Sequence, residues 1–113
     1  MKKENHSALL MDCRLYGLYK TGILSLKDII VSRHSITDPA LISQLAKMRR
    51  HTERLETFFD TIEREYGIDN RMILWRYLVN GEDVSHIARD YHTCHNALMR
   101  QISRLMQEAD SYA

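Results

Sequence analysis

Glu82-Asp83-Val84-Ser85-His86-Ile87-Ala88-Arg89-Asp90-Tyr91, then His92-Thr93-Cys94, then His95-Asn96-Ala97-Leu98-Met99-Arg100-Gln101-Ile102-Ser103-Arg104-Leu105-Met106 is the stretch whose reading decides the fold. Val84, Ile87, Ala88 and Tyr91 recur at helical spacing, and Asp83 stands where a cap would accept from the first free amides. Leu98, Ile102 and Leu105 or Met106 make a second apolar stripe over a longer segment. Short helix, tight turn and longer helix together give the helix-turn-helix layout. Ala88 is small where two such helices cross, Ile87 and Leu98 can meet in a shared core, and Cys94 can cap the second helix weakly.

The face opposite the second stripe carries His95, Asn96, Ala97, Met99, Arg100, Ser103 and Arg104. From His95 to Gln107 there are two Arg and no acid. A helix of that charge can enter the major groove of duplex DNA without being repelled by phosphate.

Upstream of this stretch, Met72, Ile73, Leu74, Trp75, Tyr77, Leu78 and Val79 crowd into residues 71–80, an apolar helix closed by Asn80-Gly81 that supplies the first leg of a three-helix unit. Trp75 and Tyr77 are expected in its core. Further back, Ser35-Ile36-Thr37-Asp38-Pro39 signals a helix start, with Asp38 as cap and Pro39 at the first helical position. From there Leu41, Leu45, Met48, Thr52, Leu55, Phe59, Ile62 and Tyr66 keep heptad spacing over roughly four heptads, about 40 Å of helix. Gly67 stops this helix, with Ile68 packing back across the stop and Asp69-Asn70 capping the next helix. The seam has two compatible uses: packing on the N-terminal helices of the same chain, or pairing subunits of a homodimer.

Before the long helix, Leu9, Leu10, Cys13, Tyr16 and Gly17 mark a first amphipathic helix from Ser7 to Lys20 that ends near Thr21-Gly22, with Gly22 as C-cap. The next stretch, 23–31, reads as a separate short helix opened by a Ser25 cap, its β-branched residues competing with that reading. The structure of 23–35 stays open. The resulting expectation is an all-α chain: a helical oligomerisation or partner region at 1–66 with a long coiled-coil-like helix at about 39–66, and a helix-turn-helix unit at 67–113.

Composition narrows the function class. The chain has 113 residues, 44% of them hydrophobic, with one Pro and four Gly, which favours helix over hairpins. The formal net charge is +1, so nucleic-acid contacts must come from local clustering: Lys47, Arg49, Arg50 and Arg54 form one basic group, followed by acidic Asp60, Glu63 and Glu65. Cys13 and Cys94 lie far apart and fit neither a disulfide framework nor a paired metal motif, so a reducing cytoplasmic setting is expected. The apolar run Ala8 to Met11 is too short for a signal peptide or a bilayer span. His86, His92, Cys94 and His95 crowd together, yet their spacing gives no tetrahedral set, so no metal and no cofactor are expected. No nucleophile is paired with a base and no phosphate loop occurs, so the expectation is a non-enzyme with no catalytic residues.

The segment from Ile73-Leu74-Trp75-Arg76-Tyr77 through Gly81, Ile87-Ala88 and Leu98-Met99-Arg100 resembles region four of bacterial sigma factors. With the long helix ahead of it, the layout is similar to phage late transcription activators of the ArpU and RinA type. That resemblance implies double-stranded DNA as partner, with His95, Asn96, Met99 and Arg100 facing bases and Ser103 and Arg104 touching phosphate, and RNA polymerase as a further contact. His92 stands where the family has Gly, which requires a left-handed backbone at His92; Thr93 stands at a buried aliphatic position and Cys94 at a capping Ser or Thr. The alternative reading is a protein-interaction module, an antirepressor or an inhibitor of a host protein, acting through the N-terminal helices.

Overall fold

The computed structural model describes residues 2–32 and 38–112. Among them the chain is all-α: α1 (Lys2–Ser32), α2 (Pro39–Tyr66), α3 (Ile68–Leu78), α4 (Val84–Asp90), α5 (His95–Leu105) and a closing 3-10 helix (Met106–Ser111), with no strand. Among the described residues no helix is long and apolar enough to cross a membrane.

The long helix α2 has the limits its sequence signals set. The Asp38 carboxylate accepts from the Ala40 amide at 3.0 Å, and Pro39 occupies the first turn. Ser35, Ile36 and Thr37 lie outside the described residues. At the other end Gly67 takes φ +95°, a conformation open to glycine, and donates its N–H to the Glu63 carbonyl at 2.8 Å. Two details of this stop differ from expectation. Ile68 is 55% exposed and does not pack back. Asn70 faces backward, donating to the Tyr66 carbonyl at 2.7 Å, so it satisfies the end of α2 and does not cap α3.

A larger correction concerns α1, which is one helix of 31 residues where two were expected. Gly22 is no C-cap. It lies in mid-helix against α2, where a Cβ would come within 2.8 Å of the Met48 sulfur. A glycine there costs helix propensity but lets the thioether lie against the backbone of α1. Residues 23–32 continue the same helix, and Ile23 and Leu26 are buried on its inner side.

Helices α1 and α2 form an antiparallel hairpin: Asp12 meets Arg54, Tyr19 stacks on His51 and Gly22 meets Met48. The heptad seam of α2 therefore has a use within the chain. Leu55, Phe59 and Ile62 are fully buried and Thr52 is nearly so, while Leu41, Leu45, Met48 and Tyr66 are half-buried. Thr52 resolves the seam's one polar position by donating to the Arg49 carbonyl at 3.0 Å. In this conformation α1 and the C-terminal helices cover the stripe expected to pair subunits.

The boundary expected at 66/67 leaves no gap in the interior. One apolar core runs from Leu9 and Leu55 through Ile73 and Leu74 to Ile87, Leu98, Leu105, Ala109 and Tyr112. Trp75 is half-buried at its edge, with its ring edge-on to Tyr16 at 5.0 Å and to Phe59 at 4.9 Å.

A buried carboxylate ties both ends of the chain to the hairpin. Asp12 is 2% exposed. It accepts from Arg54 at 3.0 Å (Nε) and 2.7 Å (Nη2), from the Tyr112 hydroxyl, and pairs with His51 Nδ1 at 3.0 Å. The Arg54 guanidinium also lies over the Tyr112 ring, 5.0 Å from its centroid. Burial, then the hydrogen bond to Asp12, pushes the Tyr112 hydroxyl above its ordinary value and keeps it protonated as the donor. His6 and Asn5 add bonds from α1 to Asp110 in the closing helix, to its carboxylate and its backbone carbonyl.

Replacing Asp12 with Ala leaves a partly exposed guanidinium and a buried phenol without their acceptor, so we expect a loss of about 2–3 kcal/mol in urea unfolding. The neighbouring Cys13 is buried, and burial followed by the Asp12 charge raises its thiol to about 12. Cys94 is exposed, so a thiol reagent at neutral pH is expected to label one cysteine promptly and the second only on unfolding; prompt double labelling would contradict the burial of Cys13.

Candidate nucleic-acid interface

The loop between α4 and α5 fixes how the second helix projects. Tyr91 ends α4, and His92 takes φ +54°, the left-handed conformation anticipated where the family resemblance has Gly. Two backbone bonds close the turn: His92 N–H to the Arg89 carbonyl at 3.2 Å and Thr93 N–H to the Ala88 carbonyl at 2.9 Å. This double closure is the Schellman arrangement, which satisfies the last free carbonyls of α4. Thr93 is exposed, so its methyl does not take the buried aliphatic place.

Caps at both helix starts are made by backbone alone. Asp83 makes no side-chain cap; its carbonyl accepts from the His86 and Ile87 amides, each at 3.1 Å. Cys94 likewise caps α5 without its sulfur, its carbonyl accepting from Leu98 at 3.0 Å. What holds the pair of helices together is apolar: Val84, Ile87 and Ala88 of α4 and Leu98, Ile102 and Leu105 of α5 are buried in one cluster.

That burial sorts the seven residues singled out on α5. His95, Asn96, Arg100, Ser103 and Arg104 are exposed, whereas Ala97 and Met99 are half-buried, Met99 packing against the core. A shallow groove runs along the C-terminal half of this face, lined by Met99, Arg100, Ser103, Arg104 and Gln107. The orientation of α5 is reinforced from the other side. Gln101 donates to the Asn70 side chain, and Tyr66 donates to Glu108 at 2.9 Å, linking the end of α2 to the end of the chain.

Arg76 is the residue that sequence reasoning missed. It stands in the motif that carries the resemblance, but its partners are six and fourteen residues away, and neither separation is a helix-face spacing. Its Nε and Nη2 donate to Glu82 at 2.9 and 2.8 Å, and Nη2 donates to Asp90 at 2.7 Å. Residues 82–107 contain three acids, Glu82, Asp83 and Asp90, so one guanidinium compensates two of them. The remaining formal charge there comes from Asp83, Arg89, Arg100 and Arg104. His86 lies 3.9 Å from Glu82.

Hydrogen bonds from Arg76 hold the Glu82 and Asp90 carboxyls below their usual range. A carboxylate with a depressed value in the folded state contributes stability that is in place above the ordinary carboxylate range and is lost as pH falls through the depressed value. Among the described residues no group of three or more His, Cys, Asp or Glu is placed to hold a metal ion.

No family model matches the chain, and no curated protein or solved structure matches it.

Arg76→Gln is expected to return the carboxyl titrations of Glu82 and Asp90, followed by NMR, upward to ordinary values and to remove the acid-side loss of stability that the bridge causes. Unchanged titrations would show that the bridge does not form in solution.

Proposed function

We propose that the chain is a sequence-specific DNA-binding transcriptional regulator, acting as an oligomer and placing α5 in the major groove. The observation that carries this reading is the exposed face of α5: Asn96, Arg100, Ser103 and Arg104 project from a helix whose opposite face is buried, with no carboxylate between His95 and Gln107. The helix is about 16 Å long, enough to follow the groove across several base pairs.

On this reading α4–turn–α5 is a helix-turn-helix, and the double closure at His92 keeps the two helices at a fixed angle. Asn96 suits adenine and Arg100 suits guanine, each through two hydrogen bonds, and a good pair of that kind discriminates by about 1–3 kcal/mol. Ser103 and Arg104 are placed one turn further on for phosphate. By compensating Glu82 and Asp90, Arg76 removes charge that would otherwise oppose the approach of DNA. The few cations available make single-copy affinity modest, which favours two recognition helices on neighbouring half-sites. The likeness to phage late activators makes promoter DNA of a phage or mobile element the proposed target and RNA polymerase a proposed second contact.

Binding to random and genomic duplexes at two salt concentrations tests the reading. Wild type should select a sequence and weaken with salt. Arg100→Ala should cost about 1–3 kcal/mol and relax preference at one base position, while Arg104→Ala should weaken all sequences alike and lower the salt slope by about one. Failure to retain any duplex at low salt overturns the proposal.

A further inference from the structure

The outer face of α1, directed away from α2, is apolar at helical spacing. Leu10 is 42% exposed, Met11 51%, Leu18 70%, Leu24 64% and Val31 72%. These five make up most of the large exposed hydrophobic residues among those described, and they share one side of one helix. A contiguous apolar row of this kind marks an interaction surface.

We propose that this face is covered by α1 of a second copy, running antiparallel about a two-fold axis at Thr21. The row is complementary to itself in that alignment. Heptad geometry then sets Leu24 opposite the partner's Gly17, Leu18 opposite the partner's Ser25, and Leu10 opposite the partner's Val31, each contact occurring twice. Large residues meet small ones, and a Cβ built on Gly17 has no atom within 4 Å, so space above it is open to receive a leucine. Charge fixes the direction. Arg14 and Asp28 are exposed on the same face and make no ion pair among the described residues. Antiparallel pairing places Arg14 against the partner's Asp28 on both sides of the axis, whereas parallel pairing would set Arg14 against Arg14 and Asp28 against Asp28. The surface is distinct from the heptad seam of α2, which the chain covers itself.

The pairing does not rest on the DNA reading. One consequence does: the closing helix and the C-terminal core pack near Leu9 of α1, and the two Leu9 positions of such a pair lie about 36 Å apart along its axis at 1.5 Å of rise per residue. That is the length of one turn of duplex DNA, the spacing of neighbouring half-sites.

Sedimentation equilibrium of the full chain without DNA is the test. Wild type should sediment as a dimer, and Leu18→Glu/Leu24→Glu as a monomer with unchanged circular dichroism. Arg14→Asp or Asp28→Arg alone should raise the dissociation constant roughly tenfold, and the two together should restore it. A wild type that stays monomeric at high concentration overturns the proposal, as does a dimer indifferent to these changes. If the glutamate variant fails to fold, the charge exchange decides: absence of rescue rules out the antiparallel pair. A dimer that behaves as expected but retains no duplex would overturn the DNA reading alone.

Discussion

Much of this fold depends on one buried carboxylate. Asp12 sits on the inner side of α1 and receives Arg54 and His51 from α2 and Tyr112 from the end of the chain. A carboxylate that far from water is tolerated only when its acceptor sites are filled by charged or hydroxyl donors. Here they are, and no buried side-chain polar atom among the described residues is left without a partner. The apolar contacts of a helical hairpin allow sliding by a turn at modest cost; a fixed acceptor with directional donors on two other elements does not. The register of α1 on α2 and the docking of the closing helix on α1 are thus set at the same point.

The candidate interface inherits its rigidity from this arrangement. Helix α5 runs directly into the closing 3-10 helix, so anchoring Tyr112 and Asp110 on α1 also anchors the far end of α5. Its near end is fixed by the turn at His92, and its middle by Gln101 on Asn70. A helix held at three points presents a fixed set of side chains, and ordering costs at binding fall when that geometry exists beforehand.

How much of this was legible in the sequence depends on whether the cause was local. The limits of α2 were readable because Asp38, Pro39 and Gly67 act through neighbouring backbone groups. The turn at His92 was readable through the resemblance, which demanded a left-handed residue there. Gly22 misled for the opposite reason: glycine reads locally as a stop, but it is present because Met48, twenty-six residues away in sequence, lies against it. Periodicity showed that the stripe from Leu41 to Tyr66 would be covered without saying by what, since a helix face carries no label for its partner. The bonds of Asp12 to Arg54 and of Arg76 to Asp90 were invisible because nothing in a linear pattern pairs charges across a tertiary contact. The exposed residues of α5 were found from its stripe, except that Ala97 and Met99 lie at the stripe's margin and are half-covered.

The bond from Asp12 to Tyr112 joins residues one hundred positions apart. With the bonds of Asn5 and His6 to Asp110, it closes the longest loops among the described contacts, and such closures come after contacts between near neighbours in the chain. The α3–α5 helices and their turns can form from contacts a few residues apart, and the α1–α2 hairpin from contacts of moderate separation. On loop-closure cost the orientation of α5 on that hairpin is expected to be completed last, when these large loops shut. Folding intermediates that already hold most of the helix would therefore still lack the final placement of α5, so helix content and the orientation of its exposed face should be acquired at different times.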